Sequence, residues 1–160
     1  MRLCVIAVGR MKAGPERELV ARYDKRLKPA SRALGMDWLG VTELAEARDG
    51  TADARKEAEA KAMLGKLDGG AKLIALDECG ERPDSEAFAD MIRRVRDDGA
   101  PSLALAIGGP DGHGEAVRER AHASIAFGRL TWPHQLVRVL ALEQLYRAAT
   151  ILSGHPYHRS

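Results

Sequence analysis

The chain has 160 residues, of which 45% are apolar and 30% charged, and its formal net charge is +2. That length favours one domain spanning residues 1–160, able to bury about 70% of its unfolded surface without a disulfide or metal staple. The composition excludes a disordered chain, a collagen and a membrane span, and so small a net charge does not by itself argue for nucleic acid.

Taken in chain order, the apolar run 3–8 ends at Gly9 and predicts a buried strand rather than a secretory leader. Pro15 then opens a helix with Leu19, Val20, Tyr23 and Leu27 on one face. Residues 36–41 form a second candidate strand, and the charged helix formers of 52–67 predict a helix with one exposed side. Residues 72–77 read as another buried strand, and 84–97 as an amphipathic helix capped by Asp84 or Ser85. A strand over 102–107 runs into the glycine loop 108–114. A short helix at 115–121, a strand at 123–127 and a last helix from Pro133 to Leu152 follow. Strands alternate with helices throughout, so the fold class is α/β with a mainly parallel sheet flanked by helices.

The last helix is apolar around most of its circumference, which predicts burial on more than one side. The second partner is either another subunit, giving a homodimer, or the core of the same chain. Cys4 and Cys79 stand alone, which suggests small core thiols in a reducing, cytoplasmic setting. Aromatic residues are only 4% of the chain, yet Phe127, Trp132, Tyr146 and Tyr157 gather in its last third. Arg129, Arg138, Arg147 and Arg159 lie in the same stretch, with Glu143 the one acid among them.

Three predicted strand ends converge: Leu76-Asp77, Gly108-Gly109 and the segment Gly128-Arg129-Leu130-Thr131-Trp132-Pro133. In open α/β sheets, ligands bind outside the carboxyl ends of the strands. The glycine spacing is neither a dinucleotide fingerprint nor a phosphate loop. The tail His155-Pro156-Tyr157-His158-Arg159 offers imidazole, phenol and guanidinium but no cysteine or close carboxylate, so no metal is expected there. Arginine binds phosphate or stacks on a base, tyrosine stacks, and histidine takes up a proton near neutral pH. A non-catalytic RNA-binding module and a dinucleotide enzyme stand as alternatives at this level. Neither explains the three strand-end segments together with the basic tail.

Several segments, in order along the whole chain, carry a family likeness. They are Val8-Gly9-Arg10, Leu76-Asp77-Glu78-x-Gly80, Ser85-Glu86-x-Phe88-Ala89 and Ile107-Gly108-Gly109-Pro110-x-Gly112. Thr131-Trp132-Pro133-His134-x-Leu136-Val137-Arg138, Glu143-Gln144-Leu145-Tyr146-Arg147-Ala148 and the terminal His155-Pro156-Tyr157-His158-Arg159 complete the set. The chain resembles the small SPOUT methyltransferases that modify a pseudouridine of large-subunit ribosomal RNA. It departs from them at 12–16, and at Trp132, where leucine is more usual.

The resemblance implies a C-terminal deep trefoil knot, a homodimer with its site at the subunit interface, and S-adenosyl-L-methionine as methyl donor. It implies N3 methylation of a pseudouridine in 23S rRNA on assembled ribosomes, with no membrane or metal involved. Carried onto matching positions, the donor pocket is Leu76, Gly108 or Gly109, and Gly128, Arg129, Leu130, Thr131, Trp132 and Pro133. His134 and His158 are the candidate bases. Arg138 and Arg159 are candidates to hold RNA phosphate or developing negative charge, and Tyr157 to contact substrate.

Overall fold

The computed structural model describes residues 1–157. Its elements are β1 (Arg2–Val8), α1 (Pro15–Arg32), β2 (Asp37–Leu44), α2 (Ala52–Leu64) and β3 (Lys72–Glu81). Then come α3 (Ser85–Asp97), β4 (Ser102–Ile107), α4 (Glu115–Arg120), β5 (Ala123–Ile125) and α5 (His134–Leu152). The strands form one sheet in the order β2-β1-β4-β3-β5, and every neighbouring pair is parallel.

Strand alternation sorts the side chains into two cores. Leu3, Val5 and Ala7 of β1 and Leu103, Leu105 and Ile107 of β4 face α1, α3 and α5. Ile6, Val8, Ala104 and Ala106 face α2 and α4. The second face is rich in alanine, which lets Ala60 and Met63 of α2 sit close to the sheet. Asp84, not Ser85, caps α3, its side chain accepting from the Ala87 amide at 2.7 Å.

Four sequence expectations are adjusted. β2 runs on through Thr42 and Glu43 to Leu44, because it is an edge strand with one partner and half-exposed faces. β5 stops at Ile125, two residues early, because Ala126 turns to donate its amide to Glu81 O at 2.7 Å. Pro133 is the residue before α5 rather than its first turn, with an extended ψ of 139°. Cys79 is exposed and so is no core thiol, while Cys4 is half-buried; both are free.

The apolar girth of α5 is met within one chain. Ala141, Leu142, Leu145 and Ala148 are buried in the core that also holds Leu27 of α1 and Phe88 and Ile92 of α3. The width of that arc therefore requires no second copy. The exposed large apolar side chains are Leu39, Leu130, Trp132 and Leu136, and three of these four lie before or at the start of α5.

β3 clasps β5 at an unusual point. Both Leu76 and Glu81 register with Ile125, so the end of β3 wraps around the short strand. A Cβ at Gly80 would come within 2.5 Å of the Ile125 backbone nitrogen, a separation no side chain tolerates. Gly80 is thus fixed by close approach of two backbones.

Candidate functional site

The carboxyl ends of β3 and β4 and the segment joining β5 to α5 open onto one cleft. From β3 come Leu76, Asp77 and Glu78, and from the β4 loop Ile107 through His113. Ile125 to Gly128, Leu130, Thr131, Trp132, His134 and Val137 supply the third wall, and Arg118 of α4 the fourth side. This follows from strand direction. Parallel strands put all their carboxyl ends on one edge, where the loops meet.

Of the residues expected to hold a cofactor, Leu76, Gly108, Gly109, Gly128, Leu130, Thr131 and Trp132 line the cleft. Arg129 and Pro133 lie in the same segment but do not line it. Of the expected catalytic residues, His134 lines the cleft and is exposed. Arg138 and Tyr157 do not line it. His158 and Arg159 lie outside the described residues.

Arg138 is 3% exposed. Its Nη1 donates to Glu43 Oε1 at 2.5 Å, and Nη2 donates to Val8 O at 3.3 Å and Gly9 O at 3.0 Å. Glu43 also accepts the Met11 amide at 2.9 Å. The pair therefore ties α5, one turn beyond His134, to the segment that leaves β1.

Tyr157 folds back onto the middle of α5. Its ring meets Tyr146 edge-on with centroids 4.9 Å apart, its hydroxyl donates to Glu143 Oε1 at 3.3 Å, and the Arg147 guanidinium lies 5.2 Å from its ring. Burial, helped by Tyr23 and Glu143, pushes the phenol pKa well up, so it stays a neutral donor. Glu143, the carboxylate its hydroxyl meets, is nine residues from His134 on α5, about 14 Å along the helix axis.

The loop after β4 is braced from behind. A Cβ at Gly109 would fall 2.6 Å from Glu59 Oε2 and 3.1 Å from Val8 Cγ1, so a side chain here would displace the Glu59 carboxylate. Glu59 accepts the Ala47 amide at 2.9 Å, and burial pushes its carboxyl pKa up despite that bond. Arg55 donates to both oxygens of Asp111, at 2.8 and 3.2 Å, pinning the loop tip.

Two groups of the cleft, His113 and Arg118, carried no spacing signal in the sequence, and both lie around Asp77 at the predicted strand end. Asp77 Oδ2 accepts Arg118 Nε at 2.8 Å while Oδ1 accepts the Cys79 amide at 3.0 Å. Burial opposes ionisation of Asp77, but the Cys79 amide and Arg118 together hold its carboxyl below the usual range. His113 is buried, with Nε2 3.0 Å from Leu76 O. Burial pushes its imidazole pKa down, against Asp77 and the carbonyls of Leu76 and Ala106. Tertiary contact alone unites them, since Asp77 and Arg118 are 41 positions apart.

A pH dependence follows from His113. The folded protein holds this imidazole less protonated than the unfolded chain, where histidine titrates near about 6.5. Its contribution to stability is therefore complete above that pH and declines as pH falls below it. His113→Gln keeps a donor for Leu76 O without a titrating ring. Urea unfolding at pH 7 and pH 5 is expected to show a smaller loss of stability on acidification in this variant. An equal loss in both proteins assigns the acid sensitivity to other groups.

No helix of the described residues is long and apolar enough to cross a membrane, and none of their His, Cys, Asp and Glu side chains cluster in threes as metal ligands. The family model described as predicted SPOUT methyltransferase matches residues 1–158. Ribosomal RNA large subunit methyltransferase H of Brucella anthropi is 60% identical over 160 residues, covering all of both chains. Proteins of the same name from Brucella abortus and Brucella ovis are 56% and 55% identical over 169 residues, again covering both chains in full.

Proposed function

Because this chain belongs to the SPOUT methyltransferase family, we propose that it methylates N3 of a pseudouridine in 23S rRNA on assembled ribosomes, with S-adenosyl-L-methionine as donor. The observation that carries this reading is the single cleft into which β3, β4 and the segment before α5 all open. The full-length relatives named for large-subunit ribosomal RNA methylation support the substrate class.

The cleft's residues suit such a donor. Leu76, Ile107, Ile125, Phe127, Leu130 and Trp132 give apolar walls for a purine, and the backbone of Gly108 and Gly109 is bare of side chains. Asp77 and Glu78 add acid beside the same space, which favours a cationic ligand. When bound, the sulfonium supplies a methyl group already activated for transfer. The chain's task is alignment and proton removal. N3 of a pseudouridine carries an imide proton that must leave. His134, exposed at the cleft mouth, accepts it in this reading, with His158 as the alternative base. Arg138, buried and bonded to Val8 and Gly9, acts as a positioning residue for the start of α5.

The homodimer belongs to the same proposal. Within one chain Tyr157 packs against Glu143, Tyr146 and Arg147 and does not line the cleft that His134 lines. A second copy, placed so that one protomer's tail meets the other's cleft, brings the two together. Leu130, Trp132 and Leu136 are the exposed apolar side chains that such a contact covers. The C-terminal deep trefoil knot is part of the same reading, and membership of the family supports it.

The test uses labelled methyl donor with two substrates, intact ribosomes and protein-free 23S rRNA. A protein of net charge +2 neutralises few phosphates and recognises an assembled surface better than bare RNA. Label is expected in ribosomes and only weakly in free RNA. Equal rates on both contradict the ribosomal reading, and no label in either contradicts the activity.

A further inference from the structure

Arg118 is the arginine that lines the cleft, and its surroundings fix how it is presented. Its Nε is taken by Asp77 Oδ2 at 2.8 Å, while the two terminal nitrogens carry no hydrogen bond to another described residue. Asp77 is itself held, 5% exposed in its side chain, by the Cys79 amide. A buried carboxylate anchored to backbone thus grips the inner nitrogen of a half-exposed guanidinium and leaves the outer fork open. Such a fork matches a carboxylate or phosphate in two parallel bonds.

We infer that Arg118, oriented by Asp77, is the subsite for the α-carboxylate of the methyl donor's amino-acid end. This rests on the donor reading above. Charge decides between a carboxylate and RNA phosphate. Asp77, Glu78 and Asp111 line the same cleft, and although Arg118 pairs with Asp77 and Arg55 with Asp111, Glu78 leaves the local field acidic. A polyanionic backbone is repelled there. A ligand with one carboxylate beside an ammonium and a sulfonium is attracted as a whole, and its one anionic group finds the one guanidinium. Asp77 is a positioning residue in this account, because it acts through Arg118.

Calorimetry on the full chain tests the assignment with two nucleosides. S-adenosyl-L-homocysteine carries the carboxylate; 5′-methylthioadenosine lacks the whole amino-acid end. Arg118→Ala is expected to weaken the first by about 10- to 100-fold, the scale of a charge-assisted pair, and to leave the second unchanged. The second ligand also reports that the cleft is still folded. Arg118→Lys, which keeps the charge but loses the fork, is expected to fall between. Equal weakening of both nucleosides places Arg118 on the adenosine side and overturns the inference. Unchanged binding of both, with weaker binding to ribosomes, assigns Arg118 to RNA and overturns it equally. If the wild-type protein binds neither nucleoside, the donor reading itself fails.

Discussion

Replacing His134 by alanine is expected to lower turnover by about 10²- to 10⁴-fold, the usual contribution of a positioned general base. Donor affinity should stay near that of the wild type. His134 is the first residue of α5, exposed at the cleft, and its side chain makes no hydrogen bond to another described residue. Its loss opens no cavity and orphans no polar group, so stability should move by less than about 0.5 kcal/mol. That separation makes the variant informative, because a fall in rate then reports chemistry rather than folding. Single-turnover methylation of ribosomes, with calorimetry of S-adenosyl-L-homocysteine on the same preparation, checks it. Near-normal turnover removes His134 from proton transfer and leaves the tail histidine as the candidate.

Arg138→Ala is expected to act through stability first. The substitution takes away a guanidinium that satisfies Val8 O and Gly9 O and pairs with Glu43. Breaking a buried pair by removing one partner costs roughly 3–5 kcal/mol. Glu43 is 37% exposed and regains water, so a loss near the lower end of that range, about 3 kcal/mol, is expected. Urea unfolding measures it. Turnover falls as well, because the segment after β1 and the start of α5 lose their tie. Lysine does not restore both sides of the site, since one ammonium cannot reproduce the guanidinium fork. Full stability with lost turnover would instead show that Arg138 touches RNA.

Most of the sheet is legible in the sequence. β1, β3 and β4 are continuous apolar runs because both of their faces are covered, one by α1, α3 and α5 and the other by α2 and α4. The edge strand β2 is harder to delimit, since Thr42 and Glu43 sit half in water and break the run. The convergence of Leu76, Gly108-Gly109 and the segment before Pro133 is also readable, because parallel strands place their carboxyl ends together. The polar wall is not. His113 and Arg118, with Glu59 bracing the loop behind them, belong to a glycine loop, a helix of six residues and a charged helix, and no spacing rule selects them. They become a set only when α2 and α4 fold onto the ends of β3 and β4.

The last helix shows the same limit from the other side. Its apolar girth suggested either a core helix or a subunit contact, and the chain itself covers much of it with α1 and α3. Pattern reports that a face is buried, not what buries it. The homodimer reading now rests on Tyr157, which packs against the middle of α5 and not in the cleft that His134 lines. It also rests on Leu130, Trp132 and Leu136, which remain exposed beside the cleft.

The most direct test is nucleoside mass spectrometry of 23S rRNA from ribosomes that lack the modification, after incubation with this protein and isotopically labelled S-adenosyl-L-methionine. One labelled methyl group on N3 of a single pseudouridine is the predicted result. Label on another nucleoside, on the ribose, or nowhere in the RNA contradicts the account.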